Sequence, residues 1–139
     1  MIKKYIFILY RKRIFSYKLV LNFQESAMSK YMQLTVAVLP YYPKDLEGTY
    51  PNLSHRLKTL ASDLVERNPS PYEIAGQLDK LLYQFDGTPL REVLMRHREA
   101  FKSLHKSIEG HIADWNLAQA DRLLYKLEDL FEKIDSELE

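Results

Sequence analysis

From Leu90 onward the apolar residues fall into two long series with steps of four and three. Leu90, Leu94, His97, Phe101, Leu104, Ile108 and His111 make the first, and Leu117, Ala120, Leu124, Leu127, Phe131, Ile134 and Leu138 make the second. Such spacing holds each series on one stripe of an α-helix, and a repeat near 3.5 residues packs knobs into holes on a neighbour. Helices are therefore predicted over about 89–110 and 115–138. The Gly110–Asn116 link is short enough to force a reversal, with Gly110 ending the first helix and Asp114 or Asn116 capping the second. An antiparallel hairpin is the expectation. Charge agrees with it: 89–110 carries five basic and three acidic residues, whereas 114–139 carries three basic and eight acidic.

Two shorter helices are predicted upstream. In 53–67 the stripe is Leu53, Leu57, Leu60 and Leu64, with Asn52 or Ser54 as cap and Asn68-Pro69 as stop. In 71–85 the start is Ser70-Pro71-Tyr72-Glu73, a capping box with proline where a missing N–H costs nothing. Its stripe is Ile74, Leu78, Leu81, Leu82 and Phe85, and Asp86-Gly87 closes it. Thr88-Pro89 then repeats the cap-plus-proline signal. The resulting fold class is all-α, an up-and-down antiparallel bundle of about four helices over 53–139.

Ahead of the bundle lies a connector, 32–52, whose segment PYYPKDLEGTYPN holds three prolines and a glycine. Residues 1–31 form a basic aromatic leader with seven Lys/Arg against Glu25 alone, which leaves 13 basic and 18 acidic side chains in the remainder. Its apolar run is broken by Arg11, Lys12 and Arg13, too soon for a membrane span of about 20 residues or for a secretory signal. Three readings are open. Met28 and Met32 offer alternative starts, which makes 1–27 translated upstream sequence. Alternation of Phe15, Tyr17, Leu19, Leu21 and Phe23 with polar residues makes a small β appendage from 5–10, 14–23 and 32–39. A basic face rich in aromatics makes residues 1–23 a membrane-surface element.

At 139 residues, with 46% apolar and 28% charged side chains, the chain has the composition of one globular domain. The absence of cysteine excludes disulfides, thiolate metal sites and cysteine nucleophiles, and the expected compartment is the cytoplasm. An acidic body argues against broad capture of nucleic acid. The glycines, Gly48, Gly76, Gly87 and Gly110, are too scattered for a phosphate-cradling loop.

The histidines are the natural candidates for chemistry. His55 reads as solvent-facing, and His97 as a boundary residue hydrogen-bonded across the hairpin. His105 and Glu109, one turn apart, lack a matching pair on a second helix, so no metal and no cofactor are expected. Glu128, Asp129 and Glu132 read as a solvated helix face. The stretch RHREAFKSLH, with Arg98 and His105 separated by six residues, is similar to the Arg-x4–6-His motif of the HEPN ribonuclease family. That resemblance, carried by one short motif, implies a helical bundle in which Arg98 steadies phosphate and His105 handles protons at the scissile bond. Glu99 stands where the family usually has a polar residue after the arginine.

The aromatic side chains outside the seams point elsewhere. Tyr41, Tyr42 and Tyr50 crowd the connector, while Trp115 and Tyr125 lie at the hairpin turn and on a helix face. Tyr and Trp offer large contact area for little lost entropy, so these five are the candidate partner-binding residues. The expected function is a non-enzymatic helical interaction module, an adaptor, chaperone-like or regulatory protein that binds a protein partner or itself. The alternative is a HEPN-like ribonuclease using Arg98 and His105.

Overall fold

The computed structural model describes residues 30–139 and, as backbone, residues 2–10 and 13–21. Strands β1 (Ile2–Tyr10) and β2 (Arg13–Leu21) pair antiparallel, with Ile2 opposite Leu21 and Tyr10 opposite Arg13. The expected third strand over 32–39 does not form. That segment runs extended with Val36 and Val38 packed against the helical core, so its β-branched side chains serve the helices instead of a sheet. The alternative start at Met28 and the alternation at Phe23 fall outside the described residues.

Residues 30–139 are all-α, but with seven helices where about four are expected. They are α1 (Leu46–Thr49), α2 (Pro51–Glu66), α3 (Pro71–Gly76), α4 (Leu78–Gln84), α5 (Pro89–Arg96), α6 (Arg98–Ala113) and α7 (Leu117–Glu137). Two predicted helices are each split by one residue. Gln77 (φ −104°, ψ 13°) and His97 (φ −106°, ψ 6°) sit near the sparsely populated bridge region. Their amides bond three residues back, to Ile74 and Leu94, and this tightening redirects the axis. A third irregularity, Ala61 at φ −136° and ψ 47°, kinks α2. It puts Leu60, expected in the buried stripe, 55% exposed while Leu64 and Val65 turn inward.

The hairpin is present as α6 and α7, which share the most extensive interhelix contact. His97 meets Glu137 at one end and Phe101 packs edge-on against Phe131 at 5.3 Å, so the helices run antiparallel. Gly110 is not the cap, because α6 continues to Ala113. Trp115 instead occupies the left-handed position (φ 58°), with Trp115 N–H donating to Ile112 and Asn116 N–H to His111. These two bonds form a Schellman closure, built here on a bulky residue instead of glycine.

Helix α7 is the axis of the molecule, touching α2, α3, α5 and α6. Its residues Leu127, Phe131 and Ile134 are fully buried, joined by Leu57, Tyr72, Leu90, Leu94, Phe101 and Ile108 from the surrounding helices. Leu124 is only partly buried, and Leu117 is exposed.

Side-chain caps close the starts of α1, α3 and α5, while α4, α6 and α7 begin without one, and the expected cap on α7 by Asp114 or Asn116 is not made. Ser70 and Thr88 accept from the amides of Glu73 and Arg91, as their sequences predict. Asp45 caps α1 through Gly48 N–H at 2.7 Å, and Asn68, itself left-handed at φ 52°, accepts Leu46 N–H at 2.8 Å. Neither Asn52 nor Ser54 caps α2. Its N-cap is Tyr50, which makes no side-chain cap bond, and the Leu53 amide is taken at 2.8 Å by Asp135 of α7.

Candidate functional site

The connector folds back over α7 and makes a cleft of about 240 Å³ between them. Leu39, Pro40, Tyr41, Tyr42 and Pro43 supply one wall, Tyr50 and Tyr72 the floor, and Leu124, Leu127 and Glu128 the other wall. Prolines 40 and 43 restrict the backbone on either side of the Tyr41-Tyr42 pair, which fixes the two rings in different roles.

Tyr42 turns inward, and its hydroxyl donates to the Pro69 carbonyl at 2.6 Å. Burial, with Tyr50 and the Glu128 and Glu73 carboxylates adding to it, pushes that phenol far above its ordinary range. Tyr50 meets the Tyr42 ring edge-on at 6.3 Å and tilts against Phe131 at 5.6 Å. Burial and four carboxylates of α7, led by Glu128, raise its phenol to about 12. Both hydroxyls therefore stay protonated, and the aromatic wall runs without a break from the cleft through Phe131 to Phe101. Tyr41 is fully exposed at the rim, at 100%, and Leu39 beside it is 52% exposed.

Glu128 closes the acidic side. Its carboxyl is raised first by burial and then by Asp129, Asp121 and Glu132. Among the described residues no Lys or Arg forms an ion pair with it. Glu128 is itself exposed, as expected of a solvated face, and it also lines the cleft.

Of the five candidate aromatics, the structure brings Tyr41, Tyr42 and Tyr50 together. Tyr125, 63% exposed, lies on α7 one residue past the cleft wall, and Trp115 sits at the far turn. Leu39, Leu124 and Glu128 escape a reading by sequence. Leu124 belongs to the heptad series and Glu128 to an ordinary charged face, so nothing local marks them.

A second cleft, about 250 Å³, lies where α6 passes α3 and α4, lined by Ala75, Gly76, Leu78, Asp79, Lys102, His105 and Lys106. His105 is stacked on Tyr72 at 4.5 Å and 17°, and burial holds its imidazole below the ordinary value against a smaller opposing pull from Glu109. The close fit depends on Gly76, since a side chain there would meet His105 Nε2 at 2.9 Å. Arg98 stands two turns away, about 10 Å along the axis. It pairs with Asp79 at 3.5 Å and Glu99 at 3.0 Å and does not line this cleft, while Lys102 joins Asp79 at 3.1 Å.

The other histidines are placed as follows. His97 Nε2 lies 2.9 Å from Glu137 Oε2 across the hairpin, as expected, and His111 is 3.5 Å from the Asn116 amide. His55 is exposed. Among the described residues no three His, Asp or Glu side chains gather as metal ligands, and no helix is long and apolar enough to cross a membrane. No family model, curated protein sequence or solved structure matches the chain.

Proposed function

We propose that this chain is a non-enzymatic helical interaction module that takes a protein partner in the cleft between the connector and α7. The observation that carries the reading is Tyr41, fully exposed on the rim of a preformed aromatic cleft with Leu39 exposed beside it. An aromatic side chain held over a concave apolar surface is the arrangement that anchors interfaces. Tyr42 and Tyr50 are already locked by packing and hydrogen bonds, so little ordering cost is added on binding.

Tyr41→Ala tests it, because removing that side chain disturbs no packing. Captured partners identified from the native host should bind the wild type and fall away from Tyr41→Ala, with the melting temperature unchanged. Partners retained equally by both proteins would remove the cleft from consideration.

A second reading, a helical ribonuclease, draws on the second cleft, where His105, Lys102 and Lys106 face one opening on the helix that carries Arg98. Cleavage of RNA that survives the Arg98→Ala/His105→Ala double variant would exclude it.

A further inference from the structure

Resting on that interaction reading, we infer that the connector cleft receives a single lysine or arginine side chain from a short segment of a partner protein. The aliphatic stem lies between Tyr41 and Leu124, and the cationic head reaches Glu128.

Size points to one side chain. Sites for small-molecule ligands usually enclose about 300–1,000 Å³, and this cleft holds about 240 Å³. The lining suits an amphipathic chain in particular, because Leu39, Pro40, Leu124 and Leu127 cover its stem while tyrosine faces and one carboxylate remain for its end. A cation within about 6 Å of a tyrosine ring is attracted by the ring's negative face.

Charge complementarity selects a cation over a neutral group. On α7 the positions flanking the cleft by one or two turns are Asp121, Glu128 and Glu132, all acidic. Desolvation, and then repulsion from Asp129, Asp121 and Glu132, raises the Glu128 carboxyl above its ordinary value, and Glu128, Glu132, Asp129 and Asp135 act on the Tyr50 phenol. From α3, Glu73 adds negative charge at Tyr42. The basic residues of α7 in this region, Arg122 and Lys126, stand two residues before Leu124 and Glu128, about 160° round the helix from them. Lys44, on the connector, lays its stem along Gly48. Among the described residues lining the cleft Glu128 alone is charged, so an incoming ammonium or guanidinium would meet a carboxylate, and charge-assisted bonds are about twice as strong as neutral ones.

The probe is a randomised peptide library displayed on phage, selected on the immobilised full chain. Enriched sequences should carry Lys or Arg beside apolar residues, and a synthetic peptide from that set should bind Glu128→Gln about tenfold more weakly, the loss of one charge-assisted contact. Replacing its basic residue by norleucine should give the same loss and leave Glu128→Gln no further effect. Enriched peptides without a basic residue, or equal binding to Glu128→Gln, would overturn the cation assignment. If such peptides still lose binding to Tyr41→Ala, the interaction reading stands and only the ligand chemistry is wrong. If neither substitution matters, both are wrong, and absence of any enrichment overturns the inference as well.

Discussion

Asp135 offers the clearest test of how this fold is held. It is on the last turns of α7, yet its Oδ1 accepts the Leu53 amide at 2.8 Å and its carbonyl accepts from Asn52 Nδ2 at 3.2 Å. Helix α2 begins without a side-chain cap of its own, so Asp135 does from another helix what an N-cap residue does locally. Loss of an N-cap typically costs about 0.5–2 kcal/mol, and a carboxylate at a helix start adds about 0.3–1 kcal/mol through the dipole. Asp135→Ala should therefore cost about 1–2 kcal/mol, and Asp135→Asn, which keeps the acceptor and loses the charge, about 0.5 kcal/mol. For a domain of this size the first corresponds to a melting temperature lower by about 4–8 °C. The assay is thermal and urea unfolding followed by helical circular dichroism, with exposed Asp129→Ala as control. Asn52→Ala combined with Asp135→Ala should show less than the sum of the single losses, since Asn52 Nδ2 also donates to Asp135 Oδ2 at 3.5 Å and either substitution removes that bond. If Asp135→Ala melts with Asp129→Ala, the inter-helix cap contributes nothing and the reasoning fails.

Two further substitutions separate core from cleft within the same hairpin. Phe101→Asp places a charge where the ring is 1% exposed and packs on Phe131. Since Phe→Ala in a core already costs about 3–5 kcal/mol and a buried charge adds to it, helical circular dichroism should vanish. Leu124→Asp falls on the partly buried cleft wall; a cost of about 1–3 kcal/mol should leave the helices intact. For His105, whose folded pKa lies below the ordinary 6.5, the neutral form is favoured by folding. The unfolded chain then binds more protons, so stability is full above that value and declines as pH falls through the folded pKa. Urea midpoints measured across that range should fall for the wild type and fall less for His105→Phe, whereas parallel slopes would contradict the burial of His105. Asp79 and Glu137, also lowered, act only in the carboxylate range and do not confuse this window.

How much of this was legible in the chain depends on whether the cause was local. The α6–α7 hairpin follows from the four-three steps, and the starts at Ser70 and Thr88 follow from hydroxyls three residues before a free amide. The break at Gln77 follows Gly76, whose missing side chain admits His105, whereas the break at His97 has no proline or glycine beside it. Both fall inside stripes whose four-three steps continue unbroken, so a periodic pattern runs straight through them. Leu60 is lost from its stripe through the kink at Ala61, where the four-three steps likewise give no sign of a break. Trp115 in a left-handed turn is opposed by its own preference, which favours glycine there. At the site, Tyr41, Tyr42 and Tyr50 were visible as aromatics crowded among prolines, but Glu128 and Leu124 become walls only because the connector crosses α7.

That crossing also gives the tyrosines different surroundings. Tyr42 and Tyr50 are tied to Pro69, Glu128 and Phe131, so substituting either would loosen the body along with the cleft. Any loss of binding from those variants would be ambiguous. Tyr41 has no such tie, being fully exposed beside its buried neighbour. Two adjacent residues between prolines thus differ in kind, Tyr42 facing inward to a structural bond and Tyr41 facing outward, where the proposed partner would meet it. Tyr41 and Glu128 are thus the pair whose substitution reports on recognition while the core beneath them stays whole.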